Sequence, residues 1–303
     1  MKYIITTFFF LIFVNSTSAC DVCGCSAGGS YLGILPQFQK NLFGMRYNYQ
    51  TFSHPNSETS FNGASKALSD EFHNTDTWVR YYPSNRIQLL AFVPYKVRQR
   101  VETEKTTTIH GLGDISFLLN YVLINTGDST HKAWKNTLLV GGGVKLPNAK
   151  YRQRDAKKQL LPAAFQLGTG AYAYTLGATY TTRYRNWGLN TDAYYRIQTE
   201  NESTYQFGNQ FSASAALFYW KNKGKTTILP HAGVQYESFD KDYEWAFVKP
   251  YTGGSLLMSS MGIDLYHKRA VFSSSFQIPM AQQIPSNQPA PQWRASVGLA
   301  VLF

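Results

Sequence analysis

From about residue 39 to the last residue, apolar and polar side chains alternate position by position. In "NWGLNTDAYYRIQT", Trp187, Leu189, Thr191, Ala193, Tyr195 and Ile197 share one face; Gly188, Asn190, Asp192, Tyr194, Arg196 and Gln198 share the other. Successive side chains of an extended backbone point to opposite sides, so a period of two predicts a strand with one apolar and one polar face. The same pattern opposes Ile87, Leu89, Ala91, Val93, Tyr95 and Val97 to Arg86, Gln88, Lys96 and Arg98. It sets Ile115, Phe117, Leu119 and Tyr121 against Asp114, Ser116 and Asn120, and Phe43, Met45, Tyr47 and Tyr49 against Arg46, Asn48 and Gln50. Ile228, Ala232, Val234 and Tyr236 likewise oppose His231, Gln235 and Glu237.

Twelve segments carry the pattern, near 39–52, 72–82, 86–98, 111–124, 136–147, 168–183, 186–198, 204–220, 225–238, 254–266, 269–280 and 291–303. A tilted strand needs about 9–11 residues to cross a bilayer. The connections sort by parity. Those after the second, sixth, eighth and tenth segments are short ("PSN", "YRN", "KNKGK", "YHKR"), and those at 53–71, 148–167 and 239–253 are long. The turn 125–135 and the loop 199–203 break the rule. Short turns alternating with long loops, on an even strand count, describe outer-membrane barrels, whereas a soluble β-sandwich has no reason to sort its loops this way. The expected fold is all-β: a closed, antiparallel, up-and-down transmembrane β-barrel with both termini on the periplasmic side.

Composition agrees. Charged residues are 16% of the 303, below the usual ~25%, while 21 Tyr and 20 Phe raise aromatics to 16%. After the first residues no apolar run reaches the ~20 that a spanning helix needs, which excludes a helical membrane protein. Trp187, Tyr219, Trp220 and Trp293 fall at strand ends, where an interfacial aromatic girdle is expected. The final strand ends on Phe303, an ending that bacterial barrel-assembly machinery is expected to read.

The start of the chain reads as an address. Lys2, the apolar run Ile4 to Val14 and the small residues Thr17-Ser18-Ala19 form the three parts of an export signal over residues 1–19. Residues 20–38 then form a Cys-rich periplasmic segment, with 26–38 a plug or tether, and 39–303 form the barrel. All three cysteines, Cys20, Cys23 and Cys25, lie in that segment. Three thiolates so close suit one soft ion, Cu(I) or Zn(II), with Cu(I) the better match because no nearby histidine completes a zinc set. A periplasmic metal carrier would then be a partner. A disulfide leaving one odd thiol and acylation of Cys20 are the alternatives.

The formal net charge of +11 points to an anionic neighbour: lipid headgroups of the outer membrane or an acidic small solute, and not nucleic acid for an exported chain. Lys150, Arg152, Arg154, Lys157 and Lys158 cluster in one external loop and read as its solvated face. The polar faces predict a lumen lined by Arg46, Arg80, Arg86, Lys96, Arg98, Asp114, Lys145, Asp192, Arg196, His231 and Asp264. Such a lining either selects a passing solute or forms an ion-paired plug. Asp192 and Arg196 share a face, and His231 reads as a wall residue. Catalysis is not expected, because no histidine lies in a serine-hydrolase motif; His54 and His110 fall in loops, His131 and His267 in turns. Asp240, Asp242 and Glu244 lack calcium-loop spacing.

"GLGDISFLLNY" (111–121), "LLVGGGVKLPNAK" (138–150), "TGAYAYTLGATYTTR" (169–183) and "YQFGNQFSASAALFYW" (205–220) carry a resemblance covering most of residues 36–303. The chain resembles outer-membrane transporters of Bacteroidetes-type bacteria, akin to the family named for the phenol meta-degradation pathway. The resemblance implies a barrel that passes small solutes, and the family name implies aromatic ones. After Leu146-Pro147 the family continues with Thr-Gly where this chain has Asn148-Ala149, so the resemblance implies less about the third external loop.

Overall fold

A computed structural model describes residues 39–54, 69–102, 105–126, 133–285 and 288–303. The export signal and the cysteine segment lie outside them. Twelve wall strands form: β1 (Leu42–Ser53), β2 (Ser69–Ser84), β3 (Ile87–Val101), β4 in two pieces (Thr106–Leu112 and Ser116–Asn125), β5 (Trp134–Lys145), β6 (Ala173–Tyr184), β7 (Trp187–Gln198), β8 (Gln210–Tyr219), β9 (Thr226–Phe239), β10 (Gly254–His267), β11 (Ala270–Gln283) and β12 (Ala290–Leu302). Each pairs antiparallel with its sequence neighbours. The sheet closes on itself, with Leu42 opposite both Arg80 of β2 and Leu302 of β12. Closure pairs every strand on both sides, which a sheet surrounded by lipid requires.

The two faces follow the parity of the sequence. Outward positions hold Leu119, Leu176, Leu217, Met261 and Leu299, each more than half exposed. Rings gather at both rims. Trp134 meets Tyr184 and Trp187 meets Tyr219 at the end with the short turns; Tyr49 meets Trp293 and Phe211 meets Tyr236 nearer the long loops. An apolar belt between two aromatic rows is the surface a bilayer-spanning barrel needs.

Two readings of the sequence are corrected here. Arg86 does not line the lumen: it sits in the two-residue turn after β2, exposed, and donates to the hydroxyl of the outward-facing Tyr121 at 3.1 Å. Its parity is that of Gln88, yet the chain reverses before the strand begins. Trp220 does not join the girdle. Tyr219 points outward, so the next residue points in, and Trp220 is buried beneath the Arg183 guanidinium, 4.0 Å from its ring.

The eighth strand is also shorter than its alternation. Gln210 begins the wall strand, while Tyr205–Gln206 joins Tyr243–Glu244 and Phe247–Val248 in a small separate sheet beyond the wall. The connection 199–209 is therefore long, and its exception to loop parity disappears. The β4 strand breaks at 113–115, where Asn148 repairs both sides. Its Oδ1 accepts from Ile115 N at 2.7 Å and its Nδ2 donates to Gly113 O at 3.3 Å.

Inside, large side chains lie flat over inward-facing glycines of the adjacent strand. A Cβ on Gly177 would come within 2.1 Å of the Tyr194 ring, and one on Gly188 within 2.1 Å of Phe218. The rings thus use wall depth instead of lumen width. Leu42, Trp78, Leu90, Phe92, Leu118, Tyr194, Val271 and Leu302 form an apolar cluster in the interior. Gly177→Ala is expected to lower stability by roughly 1–3 kcal/mol in urea unfolding of the purified barrel, and the same change made in a Tyr194→Ala background to cost much less. A Gly177→Ala barrel as stable as its parent would mean the ring yields without strain.

Candidate solute path

The third loop at the long-loop end, 146–172, folds back into the barrel. Phe165 and Leu167 are 1% and 0% exposed and pack, with Leu161, against the inward Phe52, Phe72 and Ile109. A short 3-10 turn, Ala163–Phe165, shapes the descent. Burying such side chains contributes about 1.5–3 kcal/mol each, but polar anchors set the position.

Asp114, at the break in β4, is the main anchor. Its carboxylate accepts from Ala149 N at 3.1 Å and Thr169 N at 3.0 Å, and lies 3.3 Å from Lys145 Nζ. Lys145 also donates to Thr169 Oγ1 at 2.5 Å, and Lys96 donates to Leu167 O at 2.8 Å. The Asp114 and Lys145 side chains are 2% and 6% exposed. Two strands of the wall and both ends of the loop therefore meet at one buried ion pair. Strand break, acid and loop are interdependent: across 113–115 the inward set changes from the parity of Ile109 to that of Asp114 and Ser116, and Asp114 meets the loop amides.

Above and around this anchor the inner face is a series of charge contacts. Asp70 holds Arg100 through two bonds of 2.7 Å and His54 through one of 3.0 Å. Arg100 lies 5.0 Å over the Phe165 ring of the loop, and Arg98 lies 4.1 Å over Phe72 while donating to Asn74 at 2.7 Å. Arg46 pairs with Asp76 at 3.2 Å, and Asn48 donates to the same oxygen. Arg294 forks onto Glu237 at 2.7 and 3.0 Å, linking β12 with β9 across the intervening strands. Bidentate geometry of this kind fixes both partners.

Of the residues expected in the lumen, Arg46, Arg80, Lys96, Arg98, Asp114, Lys145, Asp192, Arg196, His231 and Asp264 point inward; all are buried except Asp192, which is partly so. Asp192 and Arg196 do not meet: Asp192 accepts from Ser214 at 2.6 Å and Arg196 donates to Gln210 at 3.4 Å. Arg100, Arg294, Asp70 and Asp76 were missed, although each has the parity of a polar face already recognised. Glu237 stood on such a face without being singled out. Arginines and lysines thus outnumber carboxylates on the inner wall, where Arg46, Arg80, Lys96, Arg98, Arg100, Lys145, Arg196 and Arg294 face Asp70, Asp76, Asp114, Asp192, Glu237 and Asp264.

Several of the described histidines take structural partners, while His131 lies outside the described residues. His73 and His110 point outward and lie 2.7 and 3.0 Å from the hydroxyls of Tyr47 and Tyr95. His110 is in strand and not in a loop, and His54 follows the end of β1. Asp242 is buried and accepts from Gly208 N at 2.6 Å, a role in holding loops together. Among the described residues no three His, Cys, Asp or Glu side chains group as a metal site; Cys20, Cys23 and Cys25 lie outside those residues.

Known proteins share this architecture. The model of the family described as "Putative MetA-pathway of phenol degradation" matches residues 55–246. The COG4313 outer membrane channel from Pseudomonas putida F1 superposes with a TM-score of 0.65 at 12% identity, covering 91% of this chain and 98% of that one. The beta domain of the Bordetella autotransporter BrkA superposes with a TM-score of 0.50 at 10% identity, over 87% and 99%. These likenesses are of fold. No curated protein matches the sequence.

Asp114→Ala is expected to strand the Lys145 ammonium and two backbone amides, at about 3–5 kcal/mol for a broken buried pair. The loop should then leave the barrel, read as faster trypsin cleavage at Lys157 and Lys158; cleavage at the parent rate would show that the apolar contacts hold the loop unaided.

Proposed function

The chain belongs to the family described by that MetA-pathway model, and on this premise we propose that it is an outer-membrane channel for small solutes that favours anions over cations. The observation that carries the reading is the inner wall, where guanidinium and ammonium groups outnumber carboxylates. A narrow path with low-dielectric walls focuses such an excess into a positive potential and raises the local concentration of anions. The channel fold of the Pseudomonas putida protein supports the conducting role. The inward loop supports a path narrowed from the side of the long loops, so passage is selective by size as well as charge.

The buried Phe165 and Leu167 favour a second reading, in which the loop closes the lumen and the barrel works through its external surface. Planar-bilayer recording separates the two. The expected result is discrete conductance with chloride more permeant than potassium. Arg196→Gln should lower that permeability ratio about twofold, by analogy with the worth of one charge at a partly screened site. Absence of conductance, both in the parent and after removal of residues 150–160, would support the closed barrel instead; cation preference would overturn the charge argument.

The proposal extends to the cysteines. Cys20, Cys23 and Cys25 offer three soft ligands within six positions, which supports Cu(I), or alternatively Zn(II), held beside the channel and exchanged with a periplasmic carrier. Native mass spectrometry of protein extracted from its own membrane should show a metal adduct that vanishes in Cys23→Ser/Cys25→Ser. A disulfide or acyl mass without metal would reduce the cluster to a staple or a tether.

A further inference from the structure

A cavity of about 610 Å³ opens between the loops 146–172, 199–209 and 240–253 and Gln288, with no wall-strand residue in its lining. Its size lies within the ~300–1,000 Å³ usual for small-molecule sites. Tyr151, Tyr205, Phe207, Trp245 and Tyr251 contribute rings to its lining. Trp245 and Tyr251 remain 69% and 62% exposed.

The scaffold commits these rings to their places. Trp245 and Ala246 form the two-residue tip of the Tyr243–Glu244/Phe247–Val248 hairpin, with φ of 55° and 63°. Tight hairpins put Asn or Gly where the backbone is left-handed, because a larger side chain is strained there. A tryptophan kept at such a tip, bare to solvent, is the kind of local cost found at functional sites. The hairpin is tied down on the other side by Trp245 N donating to Thr204 O at 3.0 Å and by the Tyr205 hydroxyl donating to Asp242. Tyr151 lies against Gly170, whose φ is +66° and where a Cβ would meet the ring at 2.8 Å.

The polar groups indicate the occupant. Ser203 Oγ and Gln288 Oε1 belong to lining residues, are out of contact with water, and have no hydrogen-bond partner among the described residues. Gln288 Nε2 donates to Tyr251 O, which fixes the amide at the cavity wall; buried polar atoms are nearly always partnered, so hydroxyls of an occupant would complete Ser203 and Gln288. Lys249 and Glu244 neutralise each other at 2.5 Å. Arg152 is exposed at a left-handed backbone position, φ 62°, and has no carboxylate within ion-pair distance among the described residues. Ring platforms, unpartnered polar atoms and a cation without a carboxylate beside it are complementary to a polyhydroxylated ring that has an apolar C–H face and carries a carboxylate.

We propose that this external cavity binds an acidic saccharide of one or two rings. The rings of Trp245 and Tyr251 stack on the C–H faces of the sugar, Ser203 and Gln288 meet its hydroxyls, and Arg152 pairs with its carboxylate. Binding here does not require that the barrel conduct. A positive lumen below would nonetheless suit the same solute.

Isothermal titration of the purified full-length barrel with digalacturonate, maltose and benzoate tests this. Digalacturonate should bind saturably at one site, about tenfold more weakly to Tyr251→Ala and to Arg152→Gln, while maltose and benzoate bind far more weakly to the parent. No binding of digalacturonate, equal affinity in both variants, or benzoate or maltose binding as tightly would each overturn the proposal. Sugar-free bilayer conductance, expected to be unchanged in both variants, keeps failure of this site distinct from failure of the channel reading.

Discussion

Closure of the sheet is the constraint on which everything else in this molecule rests. A strand in hydrocarbon has no water to satisfy its N–H and C=O groups, and each unsatisfied group costs several kcal/mol. Leu42–Ser53 must therefore pair with Ala290–Leu302 across nearly the whole chain, as well as with Ser69–Ser84 beside it. Once twelve strands are locked in a ring, their alternate side chains are divided between two environments that share no solvent. The outward set is apolar and rimmed by aromatic rings; the inward set is free to be charged.

A ring of this size leaves little interior to spare, and the chain uses it in two ways. Glycines such as Gly177 and Gly188 let large rings lie in the wall. Charged groups pair along and across strands, as in Arg46–Asp76 and Arg294–Glu237. Those pairs bring desolvated charges together and so stiffen the wall more than they stabilise it. The excess in number of cationic over anionic side chains on the inner wall is the feature with consequences for a solute. Loop 146–172 then occupies part of the remaining space, held by an acid that exists at the right point only because β4 breaks at 113–115.

Legibility in the sequence followed how local each decision is. Within an unbroken run the face a residue joins depends only on its parity, so Arg98, Asp114, Lys145 and Arg196 were placed without a structure, and Arg100 or Arg294 needed nothing further to be found. Where a strand stops depends on the competing hydrogen bonds of the chain around it. Parity alone put Arg86 inside, yet the turn had already begun; alternation ran through Tyr205–Gln206, yet those residues pair better with an external hairpin. Trp220 shows the opposite weakness, a general preference of tryptophan for membrane interfaces overridden by the position of its neighbour Tyr219.

By itself the sequence determined the class of fold, the number of strands, their approximate limits and most of the two faces, because a period of two and the sorting of loop lengths are written directly in residue order. The tertiary structure alone decided which distant groups meet. Asp114 with Lys145 and Thr169, Asp70 with Arg100, and Glu237 with Arg294 are contacts across 31, 55, 30 and 57 positions. The return of the third external loop into the barrel and the cavity among the outer loops belong to the same group. Such contacts arise from the stagger and curvature of a closed sheet, and no window of neighbouring residues contains that information.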